Sequence, residues 1–302
     1  MGRATATDIR EPAVAGSFYP ADPRRLRTLV ARQLYEAGAR FPPPSAAGLG
    51  DVVGILVPHA GLEYSGVVAA AAWRLLGPGD GASPVPPTVV ILGTNHRALW
   101  LEGVGAWDRG AWRTPLGHTA IDTALAAEVV ALGRPFTIDL DAHRAEHSIE
   151  VQLPLLQAVA PAARIVPLAV ATGTGSAALE AGARLGSLLA ARRADRAKVL
   201  LAVSTDMAHY PRHRDAEWVT EQLLPAILAL DAAALAAQER DLRLRGVPNL
   251  ACGMCGIEPA VVGLAALGAA GARRGVTLAA ATSADAGGPD AHTVGYLAVA
   301  FD

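Results

Sequence analysis

Short, unbroken apolar runs alternate along the chain with longer stretches whose apolar positions recur at helical spacing. Val52–Val57, Thr88–Gly93, Ala163–Val170 and Lys198–Ser204 are rich in Val, Ile and Leu and have strand length. Such runs fit strands buried on both faces. Between them lie segments predicted as helices, at about Gly66–Leu76, Ile121–Leu132, His147–Val159 and Ser176–Arg193. Further helices are expected at about Ala216–Leu230, Asp231–Gln238 and Glu258–Ala270, and two late strands at Val276–Ala281 and Thr293–Phe301. Gly77–Pro87 reads as a Gly/Pro-rich surface loop. Covered strands bounded by helices predict an α/β fold, a three-layer α/β/α sandwich around a mostly parallel or mixed central sheet. No repeat of 20–50 residues and no long linker breaks the sequence, so a single domain over 1–302 is expected.

Composition narrows the function classes. Of 302 residues, 52% are apolar and 18% charged, enough apolar content for a large core. The net charge of -2 offers no basic field for nucleic acid or an anionic membrane. No run of about 18 uncharged apolar residues suggests a membrane span, and the first residues lack the apolar centre of a signal peptide. Two cysteines do not make a disulfide scaffold, so a cytoplasmic, reducing location is expected. The Arg and Ala bias points to a GC-rich bacterial genome.

The chemical side chains cluster where strands end. His59 and His96 follow two predicted strands at once, and His209 lies five residues beyond a third. Ligands of open α/β sheets sit beyond the carboxyl ends of strands. Three imidazoles placed there can converge on one pocket, or each can be a lone polar loop residue. In Thr205-Asp206-Met207-Ala208-His209 the carboxylate can orient the imidazole and raise its basicity, or cap a turn. His143-Arg144-Ala145-Glu146-His147 matches H-x-x-E-H, an inverted-zincin peptidase pattern with Glu146 as base; it can equally be a helix start with acidic residues in its first turn. Cys252-x-x-Cys255 stands late in the chain with no second such pair, against a thioredoxin-like or four-ligand zinc reading. Its place before a predicted helix, with Pro259 near the first turn, favours a thiolate that could ligate a metal with two His. A small buried cysteine pair is the competing reading.

Taken together, the motifs resemble those of the Memo family, whose microbial members are called AmmeMemoRadiSam system protein B. They are Ala15-Gly16-Ser17-Phe18-Tyr19-Pro20, Val57-Pro58-His59-Ala60-Gly61, Leu92-Gly93-Thr94-Asn95-His96 and Trp112-Arg113-Thr114-Pro115-Leu116-Gly117. Then come Glu146-His147-Ser148-Ile149-Glu150-Val151-Gln152-Leu153-Pro154, Ser204 to His209, Cys255-Gly256-Ile257-Glu258-Pro259, and Thr282-Ser283-Ala284-Asp285 before Val294-Gly295-Tyr296.

The resemblance implies a fold similar to class III extradiol dioxygenases, which hold Fe(II) by two His and one Glu. A Cys replaces the Glu in the Memo family. Carried over by motif, His59, His96 and Cys255 would be metal ligands. His209 would be the pocket base, supported by Asp206, and His147 would line the pocket. The implied cofactor is Fe(II), or copper given a soft sulfur donor. The implied substrate is a small aromatic of catechol or aminophenol type together with O2. A non-catalytic metal-binding scaffold is the alternative, with AMMECR-type and radical SAM proteins as partners. This chain has C-G-I-E-P where the family usually has C-G-R-x-P, so Cys252 and Glu258 stand behind Cys255 as candidates for the third ligand.

Overall fold

A computed structural model of the chain describes residues 9–42, 51–77, 87–195 and 198–302. Most of the predicted Gly77–Pro87 loop lies outside the described residues.

The described strands form one mixed sheet of eleven. Its centre is four parallel strands in the spatial order β8 (Arg164–Ala171), β3 (Thr88–Thr94), β9 (Val199–Ser204) and β2 (Gly54–Val57). Every residue of β2, β3 and β9 is buried, which is why these runs read as apolar throughout. Beyond β2 the sheet continues antiparallel with β11 (Gly295–Phe301) and then β10 (Gly275–Thr282). On the far side of β8 lie β1 (Ile9–Arg10), β4 (Gly103–Ala106), β5 (Ala111–Thr114), β6 (Gly117–Ile121) and β7 (Phe136–Ile138).

Helices cover both faces, as expected. α1 (Pro23–Arg40), α2 (Leu62–Trp73) and α5 (Leu153–Val159) pack together on one side. α6 (Ser176–Ala194) and α9 (Ile257–Ala269) pack on the other, with α7 (His213–Leu228) and α8 (Ala232–Leu244) beside them. The alternation of β9 shows the two layers directly. Val203 packs under Gly263 of α9, while the Ser204 hydroxyl accepts a hydrogen bond from Gln152, next to α5. α3 (Thr123–Ala131) and the single turn α4 (Asp141–Arg144) complete the helices among the described residues.

Three local expectations are corrected. The helix expected at 147–159 begins as a 3-10 turn at Glu150–Gln152 and becomes α-helical only at Leu153, so His147 stands in a loop. The helix expected at 66–76 starts earlier, at Leu62, and ends in a 3-10 turn at 74–76. The second of the paired helices runs to Leu244 rather than Gln238.

Candidate metal centre

β9 lies between β2 and β3, with Ser204 level with Val57 on one side and Gly93 on the other. His59, Asp206 and His96 each stand two residues beyond their strand's last residue. Parallel register therefore brings three chemical side chains to one end of the sheet.

The His59 ring is buried and its tautomer can be read from its neighbours. Ser204 Oγ has one proton, donated to the Ser148 carbonyl at 2.6 Å. It accepts from Gln152 Nε2 at 2.9 Å, and the Gln152 amide is itself fixed because Trp73 Nε1 donates to its Oε1 at 2.8 Å. Ser204 can therefore only accept from His59 Nδ1, 3.1 Å away. Nδ1 carries the proton and Nε2 keeps a lone pair, 3.3 Å from Cys255 Sγ.

His96 is held the same way by a carboxylate. Glu146 Oε1 lies 2.9 Å from His96 Nδ1, and Oε2 accepts the His96 amide at 2.7 Å. Oε1 also accepts the amides of His147 and Ser148. Burial alone would raise the Glu146 pKa, but the His96 hydrogen bond, the two nearby imidazoles and the Ser148 amide together depress it strongly. Close packing builds this contact: a Cβ on Gly93 would meet Ile149 at 2.4 Å and Ser148 Oγ at 2.7 Å, so only glycine lets β3 touch the 146–149 loop.

Asp206 Oδ1 accepts the amides of His59 and Ala60, at 2.7 and 3.1 Å. Its Oδ2 is 3.9 Å from His209 Nε2, beyond hydrogen-bond length, so the carboxylate chiefly anchors the His59 loop. Burial raises the Asp206 carboxyl to about 7. His209 is lowered to about 4 by burial and by His96, and its buried Nε2 has no hydrogen-bond partner. The His209 main chain is paired with Cys252 on one side and Val294 on the other.

Of the two cysteines, Cys255 is the one in the centre. Its sulfur approaches His59 Nε2 and accepts from the Asp206 amide at 3.3 Å. Cys252 offers His209 only its carbonyl. Glu258 lies in the first turn of α9 and belongs to neither donor group described below. Burial, and after it the Asp206 charge, push the Cys255 thiol well above its ordinary value. The helix begins two residues later, at Ile257.

Among the described residues two donor sets lie within 4.8 Å mutual reach, both containing His59: His59 with His96 and His147, and His59 with Asp206 and Cys255. The expected trio of His59, His96 and Cys255 is divided between them. His143, by contrast, is elsewhere. Its Nε2 faces the Gly105 carbonyl at 2.9 Å, and its ring sits edge-on to Trp107 and Trp112. α4 ends at Arg144, so His143 and His147 share no helix face and the inverted-zincin arrangement is not formed.

The N-terminal segment closes one wall. Phe18 packs against His147, ring centroids 4.6 Å apart. That segment is pinned by buried Glu150, which pairs with Arg10 and accepts the Tyr19 hydroxyl at 2.5 Å and the amides of Ala13 and Val14. The roles of Ser204, Gln152 and Glu150 were not foreseen from the sequence beyond their place in the motifs. Glu146 was foreseen as a peptidase base, as an acidic residue at a helix start or as a member of the E-H-S-I-E motif, but not as the partner of His96.

The family model described as Memo-like protein matches residues 10–300. A MEMO1 family protein of Methanopyrus kandleri is 39% identical over 294 residues, covering 97% of this chain and 98% of its own. Another, from Methanothermobacter thermautotrophicus, is 35% identical over 289 residues, covering 95% and 98%. Among solved structures, an uncharacterized protein from Escherichia coli K12 aligns at 16% identity with a TM-score of 0.48, over 82% of this chain and 99% of that one. Archaeal proteins stand among these relatives, so the family is not confined to bacteria. No helix among the described residues is long and apolar enough to cross a membrane. With a match running from one end of the chain to the other, the protein belongs to the Memo-like protein family.

Proposed function

We propose that this protein holds a redox-active transition metal, Fe(II) first and copper as the alternative, with His59, His96 and Cys255 as donors. The metal would serve the O2-dependent oxidation of a small aromatic of catechol or aminophenol type. The locked state of the two imidazoles carries the reading. Ser204 and Glu146 each occupy an Nδ1, leaving both Nε2 atoms as donors. A buried hydroxyl or carboxylate that fixes a ligand's tautomer is the usual support of a metal-bound His. The buried thiol beside His59 Nε2 adds a soft donor, so the residues present fit a transition metal better than Mg or Ca.

A metal bound here would supply Lewis acidity and a meeting place for O2 and a phenolate. The chain's own residues do the rest. His209, whose buried Nε2 has no hydrogen-bond partner, is the side chain available to take a phenolic proton. Asp206 holds the His59 and Ala60 amides and so fixes the loop that presents His59. Phe18 covers His147 and keeps water from that wall.

The test is metal analysis of anaerobically purified protein beside His59→Ala and Cys255→Ser, followed by O2 uptake with a panel of catechols and aminophenols under Fe(II). Stoichiometric metal in wild type, lost in His59→Ala, supports the centre. Full metal content in both variants would refute it. Metal retention with no O2 uptake across the panel would replace the oxygenase reading by a metal-binding one.

A further inference from the structure

We propose that His147 is a metal ligand in its own right, forming with His59 and His96 an all-imidazole site that exchanges with Cys255 according to the softness of the ion. The inference rests on the metal centre proposed above and revises its third position: for borderline ions, Fe(II) among them, His147 stands in place of Cys255, which is kept for Cu+. His59, His96 and His147 present donor atoms within 4.8 Å of one another without Cys255. The rings of His96 and His147 stack at 4.6 Å and 24°, and both stand edge-on to His59, at 5.3 and 5.4 Å. Glu146 Oε1 hydrogen-bonds His96 Nδ1 at 2.9 Å and leaves its Nε2 over; the same oxygen accepts the His147 amide and lies 3.3 Å from His147 Nδ1, which holds that residue beside the other two. Phe18 also packs against His147, with ring centroids 4.6 Å apart.

Imidazole sites suit borderline divalent ions, whereas thiolate favours soft ions such as Cu+. Ligation by Cys255 releases a proton, whereas ligation by a neutral imidazole releases none. A borderline ion is therefore bound by three nitrogens, and a thiophilic ion brings in the sulfur.

The experiment loads the full-length apo protein anaerobically with Co2+, and separately titrates Cu+ against a chromophoric chelator. Wild type, His147→Gln, Cys255→Ser and His59→Ala are compared, with thermal melts to check folding. Expected is Co2+ binding to wild type without a sulfur-to-cobalt charge-transfer band in the near ultraviolet. His147→Gln should weaken Co2+ at least about tenfold and leave Cu+ nearly unchanged, and Cys255→Ser should do the reverse. A strong sulfur-to-cobalt band in wild type overturns the proposal even where a variant fails to fold. So does His147→Gln with wild-type Co2+ affinity. Unchanged binding of both ions in His59→Ala would show that the centre itself is misplaced, a separate outcome.

Discussion

The Ser204 hydroxyl donates to the Ser148 carbonyl and accepts from His59 Nδ1, so one serine on β9 sets the tautomer of a histidine on the neighbouring strand loop. Ser204→Ala removes that acceptor. Metal affinity should fall by about 10–100-fold while the fold survives, as for other residues that orient a ligand from behind. Equilibrium metal competition with a melting curve on the same sample checks it; unchanged affinity would show that the tautomer does not depend on Ser204.

Arg10 and Glu150 are both wholly buried and paired. Arg10→Met leaves the carboxylate uncompensated, and breaking a buried pair costs about 3–5 kcal/mol. The N-terminal segment should also loosen, since Arg10 ties it to the His143 and Glu146 carbonyls and to Glu150. Denaturant melts measure the first effect and limited proteolysis before Asp22 the second. Proteolytic resistance equal to wild type would count against the pinning role.

Stability of the metal-free protein should fall as the medium becomes acidic. Burial lowers His143 to about 4, and an unfolded His titrates near 6.5. The unfolded chain thus binds a proton that the folded chain refuses, and stability is lost as pH drops from about 6.5 toward 4. His147 and His209, both lowered to about 4, act with the same sign. Asp206, raised to about 7, acts oppositely and costs stability as pH rises from about 4 to 7. His143→Gln keeps an N–H for the Gly105 carbonyl and removes one titration. Its loss between pH 7 and 4.5 should be smaller than wild type by roughly 2 kcal/mol. Denaturant melts at the two pH values decide; parallel losses would contradict the assignment.

Gly256 lies where the cysteine loop crosses the strand ends. A Cβ there would come within 2.6 Å of Thr205 and of Thr94 Oγ1. Gly256→Ala should cost roughly 1–3 kcal/mol and displace Cys255, lowering Cu+ affinity. An alanine variant with wild-type melting and Cu+ binding would show that the loop has slack.

The central sheet was legible because β2, β3, β8 and β9 are covered on both faces and leave continuous apolar runs. α1 was not, because it is Arg-rich and buries only Leu26, Leu29, Val30, Gln33 and Ala37 along a narrow stripe. β5 and β6 also escaped notice: short strands with exposed alternate positions carry little apolar signal. At the site, the strand-end histidines stood out because their positions in the chain are local facts. The duties of Glu146, Ser204 and Gln152 depend on which long-range donors reach them, and nothing local in the sequence encodes that. His147 was placed in the pocket by motif alone. Its nearness to His59 and His96 became visible only when the first residues of the expected helix proved to be a loop.

Asp206 stands between His59 and His96 because its strand stands between theirs. Neighbouring strands keep a spacing of about 4.8 Å, so the sheet acts as a ruler for the three residues. The measure holds only while each junction keeps its two-residue reach past the strand end. Insertions at Pro58, Asn95 or Thr205 should therefore be far less tolerable than insertions of equal length elsewhere on the surface, even where the inserted residue touches nothing chemical.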